Sequence, residues 1–132
     1  MEGLTNLEKA VLEMLVDGKA ETFQLLRKQY LAAHVTERHL TGVGFWTYFS
    51  IPNSVAKLPG NPSFRFGDVD ADIKDLQNGA GFLLQVKDGY IYMLEGYSFD
   101  EPWPDATDTF HLYYESGSQR NEDEVIKSFA PA

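Results

Sequence analysis

The stretch Gly79–Pro104, GAGFLLQVKDGYIYMLEGYSFDEPWP, constrains this chain more than any other. Its first arm alternates, with Phe82, Leu84 and Val86 on one side and Gln85 and Lys87 on the other. Asp88-Gly89 between two apolar runs predicts a tight β-hairpin, because glycine takes a positive φ without a Cβ clash. The second arm leads into an acidic, aromatic loop, where Glu95, Asp100, Glu101 and Asp105 lie among Tyr97, Phe99 and Trp103 and prolines flank the tryptophan. The turn leaves two registers open. A two-residue turn sets Phe82 opposite Glu95 and turns that carboxylate toward the core. A three-residue turn sets Phe82 opposite Leu94 and turns Glu95 outward. Lys-Asp-Gly suits both.

Upstream, Thr5 and Glu8 have the spacing of a capping box. Leu7, Val11, Met14 and Leu15 follow on one helical stripe, with Glu8, Lys9 and Glu13 read as lying off it. Asp17-Gly18 ends that helix, and a second is predicted over residues 20–33 with Phe23, Leu26 and Tyr30 on its inner side. From Val35 the period changes to two. Val43, Phe45, Phe49 and Ile51 take one face and Trp46, Tyr48 and Ser50 the other, with a bulge or bend at Thr41–Gly44. After a proline-bounded loop, Phe64 to Ile73 reads as a second strand, irregular near Gly67, and Phe110, Leu112 and Tyr114 mark a last one. The expectation is one α+β domain over residues 1–115, an N-terminal two-helix hairpin on one face of an antiparallel sheet of four or five strands. Residues 116–132 form a polar tail in which Val125, Ile126 and Phe129 stand alone, either loose or docked as a helical turn.

Composition narrows the function classes. With 43% apolar and 14% aromatic residues in 132, the chain has enough for one real core. No apolar run approaches the roughly 20 residues of a membrane span, and the opening residues carry no basic segment, so a cytoplasmic protein is expected. There is no cysteine, hence no disulfide and no thiolate nucleophile or ligand. The net charge is −9, and residues 67–108 hold ten acids against Lys74 and Lys87, a balance of −8. Such a segment argues against nucleic acid, which needs a basic face, and favours a basic protein partner.

Several sharper motifs fail on their own terms. Asp68, Asp70 and Asp72 suggest a calcium loop, but the sixth and twelfth positions hold Ile73 and Gly79 where glycine and glutamate are required. Gly42-Val43-Gly44 lacks the lysine and the following helix of a phosphate loop. His34 and His39 stand five apart across a helix-to-strand junction, which secures no metal spacing, and no nucleophile elbow occurs. No cofactor is implied. The candidate binding residues are therefore Glu95, Tyr97, Asp100, Glu101 and Trp103, with Arg38 and His39 from the only histidine–acid cluster.

Thr41-Gly42-Val43-Gly44-Phe45, then Leu94-Glu95-Gly96-Tyr97, then Glu101-Pro102-Trp103-Pro104 together resemble a family of small uncharacterised bacterial proteins. That resemblance implies a bacterial cytoplasmic α+β domain and no particular activity. The expected function is a non-enzymatic acidic binding protein, of an immunity or antitoxin type, that meets a basic protein. The alternative is a small-molecule-binding or hydrolytic domain with Glu95 in a pocket between helices and sheet. A homodimer through an exposed sheet face is the third reading.

Overall fold

The computed structural model describes residues 3–131. Residues 1, 2 and 132 of the expected domain and tail lie outside the described residues. The fold is α+β with an antiparallel sheet. Among the described residues there are three helices and eight strands, not a helix pair and four or five strands. Helices α1 (Asn6–Leu15) and α2 (Glu21–Ala32) come first, then strands β1 (His34–Leu40), β2 (Gly44–Ser50), β3 (Phe64–Phe66), β4 (Val69–Ile73), β5 (Ala80–Lys87), β6 (Tyr90–Ser98) and β7 (Phe110–Tyr114). A short helix α3 (Glu122–Lys127) and a two-residue strand β8 (Ala130–Pro131) close the chain.

Each extra strand has a local cause. Residues 35–51 are a hairpin rather than one bent strand: Gly42 at φ 93° lets the chain reverse, and β1 runs back along β2 from Leu40↔Phe45 to His34↔Ser50. The inward set on β2 is accordingly Phe45, Thr47 and Phe49, while Val43 is exposed in the turn. The second expected strand breaks at Gly67-Asp68, where a Cβ on Gly67 would come within 2.0 Å of the Phe82 carbonyl oxygen. Its two halves, β3 and β4, share one edge of β5. The main path of the sheet is β1-β2-β6-β5-β3-β8, and β7 lies outside β4.

One core joins the inward faces of these strands to the helices. Leu7, Val11, Leu12 and Leu15 of α1, with Phe23 and Leu26 of α2, pack with Phe82, Leu84, Val86 and Leu94. The capping box at Thr5 is formed in both directions. Gln29 of α2 is fully buried. Its amide donates to the carbonyls of Ala56 and Gly89 and its oxygen accepts from Ile91 N–H at 2.8 Å, which ties the helix to the β5–β6 turn.

The polar C-terminal stretch is docked rather than loose. Phe129 stacks on Phe64 at 4.2 Å, and Val125 is buried. Arg120 forms a two-point ion pair with Asp68, both contacts at 2.9 Å, and lies over the Phe23 ring. Glu122 accepts from the backbone N–H groups of Lys19 and Ala20, the two residues that lead into α2, and so holds the approach to that helix.

The alternate strand residues point to the opposite side of the sheet, which no helix among the described residues covers. No helix among them is long and apolar enough to cross a membrane.

Close backbone approach gives one test. A Cβ on Gly44 would lie 1.9 Å from the Gly96 carbonyl oxygen, a backbone atom that cannot give way. Gly44→Ala should cost about 2–4 kcal/mol of stability by urea denaturation. Gly60→Ala, in open space with only a positive φ to oppose it, should cost about 1 kcal/mol.

Candidate functional site

The three motif stretches far apart in sequence meet at one corner of the sheet. Gly44 lies against Gly96, and the Phe45 ring occupies the space a side chain at Gly96 would need. Trp103 packs edge-on against Phe45 at 5.6 Å. Its N–H donates to the Gly42 carbonyl at 2.9 Å, while Ser98 N–H donates to Val43 at 2.8 Å. Gly44 is thus required by close approach of the Gly96 backbone and Gly96 by the Phe45 ring, and the tryptophan loop is fastened to the β1–β2 turn. Between this turn, the Trp103 loop and the start of α1 is a cavity of about 280 Å³, lined in part by Glu8, Arg38, Leu40, Phe45, Trp103, Asp105 and Thr107.

Glu8 forms the cavity's charged floor and is 1% exposed. One carboxylate oxygen accepts from Thr5 N–H at 2.8 Å and from Arg38 Nη2 at 2.5 Å. The other accepts from Arg38 Nε at 3.0 Å and from the Thr47 hydroxyl at 2.5 Å. Burial pushes its pKa up, but the Arg38, Thr47 and Thr5 hydrogen bonds and the Arg38 charge outweigh it, and the carboxyl sits below its usual value. A carboxylate held by four donors is a poor proton acceptor. Its work is to tie α1 to β1 and β2.

Glu8, expected off the apolar stripe and only as part of the cap, is instead buried. The signal for burial was present, since Glu8 stands at i to Val11, Leu12 and Leu15 at i+3, i+4 and i+7. Thr47, inside a strand face otherwise aromatic, was its matching partner.

Glu95 follows neither expected register. The turn has two residues, with Asp88 at φ 50° and Gly89 at φ 84°. Lys87 pairs with Tyr90 and Val86 with Ile91, but Gln85 pairs with Met93, so Tyr92 is an extra residue on β6. Beyond this bulge Leu83 faces Glu95 and Phe82 faces Gly96. Glu95 therefore lies half-buried on the uncovered side, not in a pocket between helices and sheet. Its neighbour across β2 is Trp46, and both border a shallow depression of about 240 Å³ with Tyr48 and Tyr92.

His39 stacks on Trp46 at 5.3 Å in the next ladder position. Tyr97 lies across Gly81, where an added Cβ would come within 2.6 Å of its hydroxyl. Burial foremost, then Asp70, Glu115 and Glu95, raises the Tyr97 pKa. Asp70 and Glu115 on the same side are both raised. For each, burial is the largest cause, and the hydrogen bond between them favours keeping one proton on Glu115.

The other candidates have structural duties. Glu101 accepts from the N–H groups of Gln77 and Asn78 at 2.8 and 2.9 Å and so fastens its loop to the β4–β5 turn. Asp100 takes φ 63° in the exposed turn after β6. Arg38 and Trp103 share the cavity; Glu95, Tyr97 and His39 share the uncovered sheet face. Asp68 belongs to Arg120, so the Asp68–Asp72 row does not act as a unit. Among the described residues no group of three or more His, Asp or Glu has a metal-holding arrangement. The chain matches no family model, and no characterised protein or solved structure is significantly similar to it.

Glu8→Gln, which replaces an acceptor facing Arg38 with an amide, should cost about 3–5 kcal/mol in denaturant unfolding. Because the folded pKa of Glu8 is lowered, its contribution is present above the usual 4.5 and is lost as pH falls through the lower folded value. The variant should flatten that acid limb. Asp70→Asn should act oppositely: the raised folded pKa makes ionised Asp70 unfavourable at neutral pH, so this variant gains stability there. The gain should shrink as pH falls through the raised value toward the usual 3.8.

Proposed function

We propose that this chain is a non-enzymatic acidic binding protein of the bacterial cytoplasm, an immunity- or antitoxin-type partner that occupies a basic protein through its uncovered sheet face. The observation that carries the reading is the composition of that face. Trp46 and Tyr113 are 37% and 40% exposed on it, with Tyr48, Tyr92 and Tyr97 between them. Around them stand Glu95, Asp70, Asp72 and Glu115, against Arg65 and Lys87. Aromatic side chains on a rigid sheet are efficient anchors, since little conformational freedom is lost on contact. The surrounding carboxylates steer a cationic partner and repel an acidic one.

The same charges disfavour a second copy of this chain on that face, because carboxylates would oppose carboxylates. Catalysis gains no support from Glu8, whose acceptor positions are all taken. Relative to the sequence reading, the binding surface moves from the acidic loop to the strands: Asp100 and Glu101 build the loop, while Glu95, Tyr97 and His39 face outward.

The test is capture from a bacterial lysate on the immobilised chain, with identification of what is retained. A basic protein should be held at low ionic strength and released by salt. Trp46→Ser and Glu95→Lys should each weaken binding of the purified partner about tenfold or more, while circular dichroism stays unchanged. Retention of nothing at low salt, or of a partner indifferent to both variants, overturns the reading.

A further inference from the structure

On the uncovered sheet face an indole and an unpaired carboxylate adjoin, and we propose that this place receives an arginine side chain of the basic partner, an inference that rests on reading the face as a binding surface. One row of the sheet sets the geometry. Across β1, β2, β6 and β5 the ladder places His39, Trp46, Glu95 and Leu83 side by side. Residues directly opposite in such a row stand about 4.5–5.5 Å apart at Cβ, so Glu95 is the immediate neighbour of the indole. His39 stacks on Trp46 from the β1 side, with ring centroids 5.3 Å apart and planes 28° from parallel. One face of the indole is thereby covered, and the other is turned toward β6 and Glu95.

Glu95 is half-buried and has no ion-pair partner among the described residues. The basic residues of the same face stand elsewhere. Lys87 holds its ammonium 4.9 Å from the centre of the Tyr92 ring at the turn end of the hairpin, and Arg65 lies beyond β5 on β3. Trp46, Tyr48, Tyr92, Met93 and Glu95 border one shallow depression. A carboxylate partly withdrawn from water among these side chains gains from a cation brought to it, because the pair is screened less there than in bulk solvent. Tyr48 and Tyr92 brace each other edge-on at 5.5 Å, so this wall is in place before a guest arrives.

The combination of ring and carboxylate selects among cations. A guanidinium is flat and weakly hydrated. It can lie on the free indole face and present its N–H edge to Glu95 at the same time. An ammonium is a compact, strongly hydrated point charge, which satisfies the ring or the carboxylate but has no second flat surface to offer. A neutral side chain of the same shape keeps the stacking and loses the charge, and an anion meets Glu95.

The chain has two tryptophans, so its indole N–H groups give two separate NMR signals, assigned with Trp46→Phe. The probes are N-acetyl-arginine amide, N-acetyl-lysine amide and N-acetyl-citrulline amide, the last an uncharged analogue of arginine, titrated at one fixed low ionic strength. The arginine probe should move the Trp46 signal saturably with a midpoint below about 10 mM and leave that of Trp103 in place. The lysine probe should bind at least about threefold more weakly and the citrulline probe at least about tenfold. Glu95→Gln should weaken the arginine probe about fivefold or more. Absence of a saturable shift at Trp46 overturns the proposal. So does equal binding of arginine and lysine probes or of arginine and citrulline probes, or a Glu95→Gln protein that binds arginine as before. No partner protein enters this titration. Its failure removes the arginine site and leaves lysate capture of a basic protein standing, whereas an empty capture removes the partner and leaves a site that titrates.

Discussion

The contact on which this architecture depends is the carboxylate of Glu8. It accepts from its own helix cap, from a guanidinium on β1 and from a hydroxyl on β2, so three elements share one anion. A charge removed from water costs several kcal/mol unless its acceptor positions are filled, and here each oxygen has two donors. The arrangement fixes geometry more than it adds stability. An apolar replacement could fill the same volume, but it would leave the start of α1 free to slide along the sheet. The fully satisfied network permits one placement, and that placement creates the cavity beside Arg38.

Much of this fold could be read from residue pattern. Thr5 and Glu8 announced α1, Asp88-Gly89 announced the central hairpin, and alternation gave β4, β5 and β7 their inward sets. The misreadings share a physical origin: local periodicity carries no information about where the chain reverses or slips. Thr41–Gly44 reads from sequence as a bulge or bend because both arms have period two, and two antiparallel strands preserve that period as well as one long strand does. The bulge at Tyr92 has no glycine to mark it. Its extra residue places a ring against Tyr48, distant in sequence, and under the Lys87 ammonium across the hairpin. Glu95 was therefore assigned to two registers, and the molecule uses a third.

The candidate residues were legible as a list but not as sites. Arg38 and His39 are neighbours in sequence on opposite faces of one strand, so they belong to different chemistries. Arg38 turns inward to Glu8; His39 turns outward to Trp46. Trp103 is brought to Phe45 by its backbone hydrogen bond to Gly42 and by that of Ser98 to Val43, which sequence spacing does not record. The most consequential acid, Glu8, was disguised by its role as a cap, because one side chain does both tasks. A glutamate that reaches back to its cap and also stands in phase with the apolar stripe is a sign of a buried polar junction.

Glu122 and Arg120 have an effect on the order of events. The segment that leads into α2 is held by a carboxylate about a hundred residues downstream, and Asp68 has its cation only once Arg120 arrives. Contacts closing so long a loop form late, because chain entropy must be surrendered before they contribute. During synthesis the sheet edge at β3 and the ring of Phe23 wait uncovered until the last helix emerges, which then clasps both ends of the chain together. The same clasp is the natural first point of opening in the finished molecule: releasing residues 120–131 frees the segment that leads into α2, strands a buried aspartate and bares Phe64 and Phe66 in one step. Resistance to proteases should therefore be governed by this terminal fastening rather than by the breadth of the sheet.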